Sequence, residues 1–289
     1  MGLVATSCQE VPVGGKKSIV VTYSVLGSIV KEMVGDRATV IVSIPNGLDP
    51  HEWQPSVKDI ETINRADLVV ENGLGLEAGM LKALQETKKR GVVVFTAADH
   101  VAVRHVRAGE GTSDDPDQAT GAADPHIWTD PLAMKAVVRA LAPELGQVLG
   151  VDLSARAADL ENRLDDLNDE IVGMVSAIPA ADRKLVTGHE SLGYFADRYG
   201  FTLVGVIVPG VSSQAEVSAA DLAALKKAIE ENRVKAVFTE LGTSPAVAKA
   251  IGDATGATVV ELNTHTLPAD GSYFTYMREL AGTLVEALR

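Results

Sequence analysis

Histidine is the residue type whose placement carries chemistry in this chain. His51 sits in Asp-Pro-His-Glu-Trp, His126 in Asp-Pro-His-Ile-Trp and His189 in Thr-Gly-His-Glu-Ser. Each lies where a strand pattern ends or a helix pattern is about to begin. A single histidine in such a place reads as a surface or hydrogen-bonded residue. Three of them point jointly to imidazole ligation of a transition metal. Zinc-finger ligands cluster along the sequence, whereas these are far apart, so one ion held between distant loops is the fitting arrangement. His265, in Leu-Asn-Thr-His-Thr after the last strand pattern, is the natural fourth ligand, giving two from each half of the chain. Glu240 ends Val-Phe-Thr-Glu at a strand's carboxyl end, placed to accept the second ring N–H of a ligand histidine, with a partly solvated carboxylate as the alternative reading. His100 and His105 flank a short apolar run and read as surface residues, with an accessory metal-collecting role as the lesser alternative.

The elements that must position these side chains are readable from β-branched runs and helical periodicity. Strands are expected at Ser18–Tyr23, Thr39–Ile44, Leu68–Glu71, Val92–Phe95, Lys184–Thr187, Leu203–Val208, Ala236–Thr239 and Thr258–Leu262. Amphipathic helical stretches lie between them, which argues for parallel sheets covered on both faces. Ser56 with Asp59, and Ser218 with Asp221, have the spacing of a capping box. Asp130-Pro131 sets a cap before a first-turn proline. The strands fall into two groups of four. The stretch from Asp130 to Ile178 separates them and carries no strand signal. It reads as a helix, a break near Gly150–Leu153, and a long helix from Ser154 to Ile178 with an apolar stripe at Leu160, Leu164, Leu167, Ile171 and Val175. The expected fold is therefore α/β: two lobes, each a roughly four-stranded, mainly parallel sheet flanked by helices, joined by a long backbone helix. The divisions expected are a tether over 1–17, a first lobe over 18–150, the linking helix over 151–180 and a second lobe over 181–289. Gly109–Asp124 is acidic and turn-rich and reads as a loop.

Bulk composition removes several classes of function. The chain has 289 residues and a net charge of −13, which argues against nucleic acid or anionic lipid as a partner. Its single cysteine, Cys8, rules out an internal disulfide. No apolar run reaches the length of a membrane span. Gly2 to Cys8 resembles the tail of a bacterial lipoprotein signal, which implies a lipid anchor at Cys8. Two motifs act as decoys. Gly73-Leu-Gly75, followed by Asp99, has the outline of a dinucleotide fingerprint, but Glu77 would set a carboxylate against a pyrophosphate. Ser191 lacks the glycine two residues earlier that a nucleophile elbow needs, because His189 stands there.

With these segments in view, the chain resembles the metal-binding solute-binding proteins of bacterial zinc and manganese ABC importers, the type with a rigid helix joining two lobes. The likeness is carried by Asp49-Pro-His-Glu-Trp, the segment Ala66 to Glu77, Asp124-Pro-His-Ile-Trp-Thr-Asp-Pro131, the segment Thr187 to Gly200, and Val237-Phe-Thr-Glu240. It implies that His51, His126 and His189 bind the metal in a cleft. Histidine at the Thr-Gly-His position is the zinc-type choice, and glutamate there the manganese type. The family's usual fourth ligand is an aspartate after the last strand. His265 holds that place here, with Asp270 as the alternative if its loop folds back. The resemblance also implies a monomer outside the cytoplasmic membrane, with a divalent ion (Zn2+, alternatively Mn2+ or Fe2+) as cargo and the membrane permease of an ABC importer as partner. A metal-dependent hydrolase with an open coordination position and a surface adhesion protein are the competing readings.

Overall fold

The computed structural model describes residues 15–107, 110, 120–209, 211, 213 and 217–289. Cys8, nearly all of the expected tether and most of the acidic Gly109–Asp124 segment lie outside the described residues. In the first half, β1 (Lys17–Tyr23), β2 (Ala38–Ile44), β3 (Leu68–Glu71) and β4 (Val94–Thr96) form a sheet of order β2-β1-β3-β4, parallel throughout. Val20, Val21, Val69 and Val70 are fully buried, as strands covered on both faces require. The intervening helices are α1 (Ser24–Val34), α2 (Val57–Asn64) and α3 (Leu81–Lys89). Ser56 and Asp59 form the expected capping box on α2.

In the second half, β5 (Lys184–Thr187) pairs with β6 (Thr202–Val206), and β7 (Ala236–Thr239) with β8 (Thr258–Glu261), both in parallel. All eight strand runs seen in the sequence are therefore strands, and all are parallel. The second group differs from expectation in one respect: it forms two separate two-stranded ladders. β5 and β7 still pack side by side. The register slips at Leu185/Val186, and the N–H just beyond β5, on Gly188, is given to the Glu240 side chain. Strands of four residues offer few ladder bonds to begin with. α6 (Gly193–Tyr199), α7 (Ala219–Asn232) and α8 (Pro245–Thr255) complete this half.

Between the halves lie α4 (Pro131–Leu149), α5 (Ser154–Val175) and α9 (Tyr273–Leu288). Asp130 caps α4 ahead of Pro131, and Gly150 ends it in the left-handed conformation, giving the break read from the sequence. The stripe Leu160, Leu164, Leu167, Ile171 and Val175 is buried, as its spacing predicts. α9 crosses back to pack on α5 and α1. As a result one apolar cluster runs from Val20 and Val69 through Leu141, Leu164, Leu167 and Met277 to Leu185 and Phe238. Each fully buried leucine in it contributes about 1.5–3 kcal/mol. A smaller cluster around Val186, Ile229 and Val237 belongs to the second half alone. The halves also meet at their rim. Asn46, just past β2, donates from Nδ2 to the Leu267 carbonyl (2.9 Å) and accepts the Leu267 N–H at Oδ1 (2.8 Å). No helix among the described residues is long and apolar enough to cross a membrane.

Candidate metal centre

The carboxyl ends of the strands converge where the halves meet, and four loops deliver one histidine each. His51 follows β2, His189 follows β5 and His265 follows β8. His126 arrives by a longer path, in the 3-10 turn before α4. Asn72, at the end of β3, fixes that path by donating to the Pro125 carbonyl at 2.9 Å. The repeated Asp-Pro-His order has a local cause. In each copy the aspartate accepts the histidine backbone N–H, Asp49 from His51 and Asp124 from His126, both at 2.9 Å. The same turn thus presents both rings. The glycine of Thr-Gly-His is required by crowding: a Cβ on Gly188 would collide with the Thr243 hydroxyl and press on Glu240.

The four predicted ligands come together. One nitrogen from each of His51, His126, His189 and His265 lies within 4.8 Å of all the others, and all four residues are buried. His126 Nε2 is 3.2 Å from His51 Nε2 and 3.1 Å from His189 Nε2. A tetrahedral zinc ion with bonds of about 2.0–2.1 Å sets its nitrogens roughly 3.3–3.4 Å apart. His126 Nδ1 faces Asp124 Oδ1 at 2.9 Å. A carboxylate accepts only, so Nδ1 carries the proton and Nε2 presents its lone pair to the other rings. His265 Nε2 is buried with no hydrogen-bond partner. A buried nitrogen lone pair left this way is what an ion would satisfy.

Glu240 lies where the sequence put it, beside His189, with Oε2 3.3 Å from Nδ1. The alignment falls outside that of a hydrogen bond. Its carboxylate is held by the Gly188 N–H (2.9 Å), the Ser191 hydroxyl (2.5 Å) and the Thr264 hydroxyl (2.8 Å). Asp270 is exposed and committed elsewhere, accepting from the Ser272 N–H and the Thr275 hydroxyl at the start of α9. It does not join the cluster. His100 stacks on Phe95, and both His100 and His105 are exposed and outside the cluster. At the glycine decoy, Glu77 accepts the Asn72 and Gly73 N–H groups, so its carboxylate takes the place a phosphate would need.

Burial governs the electrostatics. It holds His126 and His189 well below the ordinary imidazole range, and the neighbouring rings push them further. His265 is pushed down to about 3 by burial, with His51 adding to the effect. His51 is also lowered by burial, against the opposing pull of Asp49 and Asp124. The rings are therefore neutral at pH 7, the state a metal requires. Burial raises Glu240 to about 7 and Asp124 to about 6, although donors oppose the rise in both. Four neutral imidazoles leave the charge of a divalent ion uncompensated among themselves, so the balancing charge falls to carboxyls around them: Glu240, Asp124 and Asp49, which is buried beside His51. Arg104 anchors Asp124 from behind at 3.4 Å and reaches Asp197 on α6 at 3.2 Å. Glu190, beside His189, is buried. Burial with Asp124 and Glu110 raises it to about 8, which keeps it uncharged at neutral pH.

The sequence pattern assigns no role to Asp124 or Thr264, and Ser191 enters it only as a nucleophile decoy. The echo of Asp-Pro-His was the available signal for Asp124. Thr264 had none, because its partners come from residues far away in the chain. The family described as ZnuA, zinc-uptake complex component A, periplasmic, matches residues 19–287. The chain is 31% identical over 265 residues to the high-affinity zinc uptake system protein ZnuA of Bacillus subtilis, spanning 87% of this chain and 79% of that one. It is 24% identical over 301 residues to the manganese-binding lipoprotein MntA of Halalkalibacterium halodurans, spanning 100% and 95%. Among solved structures, the periplasmic zinc-binding protein TroA of Treponema pallidum matches with a TM-score of 0.81 at 25% identity, covering 95% of this chain and 99% of that one.

Proposed function

This chain belongs to the family of periplasmic zinc-uptake component A proteins, and from that premise we propose that it captures zinc outside the cytoplasmic membrane and hands it to the permease of an ABC importer. The observation that carries this reading is the set of four buried imidazole nitrogens, one from each of His51, His126, His189 and His265, within 4.8 Å of one another. Imidazole suits zinc, whereas manganese favours oxygen donors. Relatives are named for zinc and for manganese alike, so the choice of zinc rests on the donor set. Four protein ligands fill a tetrahedral ion's positions and leave no place for a reactive water, which favours carriage over catalysis. The family match supports capture and delivery over the hydrolase and adhesion alternatives.

In metal-stripped protein offered zinc and manganese at equal concentration, zinc should fill the site to a single ion per chain. Competition dialysis with elemental analysis checks this, and manganese holding its own against zinc would overturn the choice of metal. We further assign membrane attachment to Cys8, in keeping with a relative named as a lipoprotein. Intact-mass measurement of protein extracted from membranes should show an acylated Cys8; a bare thiol there would remove the anchor from this reading.

A further inference from the structure

The two halves orient their histidines by different means. His126 meets its carboxylate, Asp124, directly. His265 has no carboxylate on its Nδ1. That nitrogen lies 2.8 Å from the hydroxyl oxygen of its own neighbour, Thr264. The same hydroxyl lies 2.8 Å from Glu240 Oε2. Thr264 is 1% exposed, and water does not compete for these bonds. Its backbone is pinned as well, because its carbonyl accepts from Trp128 Nε1 at 2.9 Å and from the Tyr276 hydroxyl at 2.7 Å. One donor comes from the turn that carries His126 and the other from α9, so Thr264 is fixed against the first half and against the helices between the halves.

A hydroxyl has a single proton to give. Once Glu240 is ionised its carboxylate can only accept, and that proton goes to Oε2. The lone pair left on the threonine oxygen can then only receive, so His265 Nδ1 must carry the hydrogen. Nε2 is thereby left bare, and Nε2 is the buried atom with no hydrogen-bond partner. We propose that Thr264 is a positioning residue for metal binding, relaying the negative charge of Glu240 to His265 and fixing the ring in the form whose Nε2 faces the ion. Glu240 then serves both histidines of the second half: His189 through space at 3.3 Å and His265 through the threonine. Ser191, which donates to the same Oε2, holds the carboxylate in place for both tasks.

This inference rests on the metal-capture reading but can be separated from it. Thr264→Val keeps the shape and removes the hydroxyl, whereas Thr264→Ser keeps the hydroxyl and removes the methyl. T264V should bind zinc about 10–100-fold more weakly, the usual cost of losing an orienting partner, and T264S should recover most of that loss. Nitrogen-15 NMR of the metal-free, unaltered chain above about pH 8, where Glu240 is ionised, should show His265 protonated at Nδ1, with that preference lost in T264V. T264V binding zinc as tightly as the unaltered chain, T264S losing as much as T264V, or His265 protonated at Nε2 in the unaltered chain would each overturn the relay. The NMR measurement needs neither a folded variant nor bound metal. Failure of the unaltered chain to bind zinc would instead sink the capture reading, and the ring's protonation would still decide the role of Thr264.

Discussion

His126→Ala is expected to reduce zinc affinity by more than the roughly 10–100-fold that follows loss of an orienting partner, because it removes a ligand outright. His126 is the ring closest to two others, at 3.2 Å from His51 and 3.1 Å from His189. Its Nδ1 also holds a hydrogen bond to a carboxylate, so its loss strands Asp124 without its imidazole partner. The remaining three histidines would bind an ion with one position open to water, a geometry more typical of catalytic zinc. The variant should stay folded, because the turn is held by Trp128 and by Asn72 through Pro125. Competition titration against a chelator of known affinity, with circular dichroism as the folding control, is the measurement. Affinity unchanged from the parent would remove His126 from the ligand set.

The second large effect is on pH. The imidazoles are held below their ordinary range, His265 at about 3, so they have no protons to lose near neutrality. Glu240 at about 7 and Asp124 at about 6 do. A divalent ion beside them favours their ionised forms. Metal binding should therefore release protons at and below pH 7, and affinity should fall as the solution is acidified. Each proton released weakens binding about tenfold per pH unit. Above about pH 8 both groups are already ionised and affinity should level off. Calorimetry in buffers of differing ionisation enthalpy counts the protons directly. Glu240→Gln should abolish the upper part of the pH dependence. A proton count that stays at zero between pH 8 and 6 would show that the carboxyls are not coupled to the ion.

What could be read in advance follows the range of the forces involved. Strand runs such as Leu68–Glu71 and Lys184–Thr187 are local composition, and the structure repeats their bounds unchanged. The Ser56 and Ser218 boxes span three residues and are equally legible. Ends were less certain. β4 sits at Val94–Thr96, past the expected Val92–Phe95, although the Val93 carbonyl still accepts the Val69 N–H at 2.9 Å. The division of the second half into two ladders was not legible, since it depends on Gly188 giving its N–H to a side chain 52 residues away. At the metal site, four histidines stood out because few alternatives explain their positions. Thr264 did not, because a threonine after a strand has many ordinary uses, and its role depends on Glu240, Trp128 and Tyr276 arriving together.

The apolar mass that joins the halves through α5 and α9 has a kinetic meaning. Swinging the halves apart about α5 would wet aliphatic and aromatic surface, and laying bare roughly 400 Å² of it costs about 10 kcal/mol. Such an excursion is too rare to govern how long cargo dwells. Far less is needed to part Asn46 from Leu267, which hold each other by two hydrogen bonds, together worth about 1–3 kcal/mol. Parting them separates the loop that carries His51 from the loop that carries His265 without bending α5.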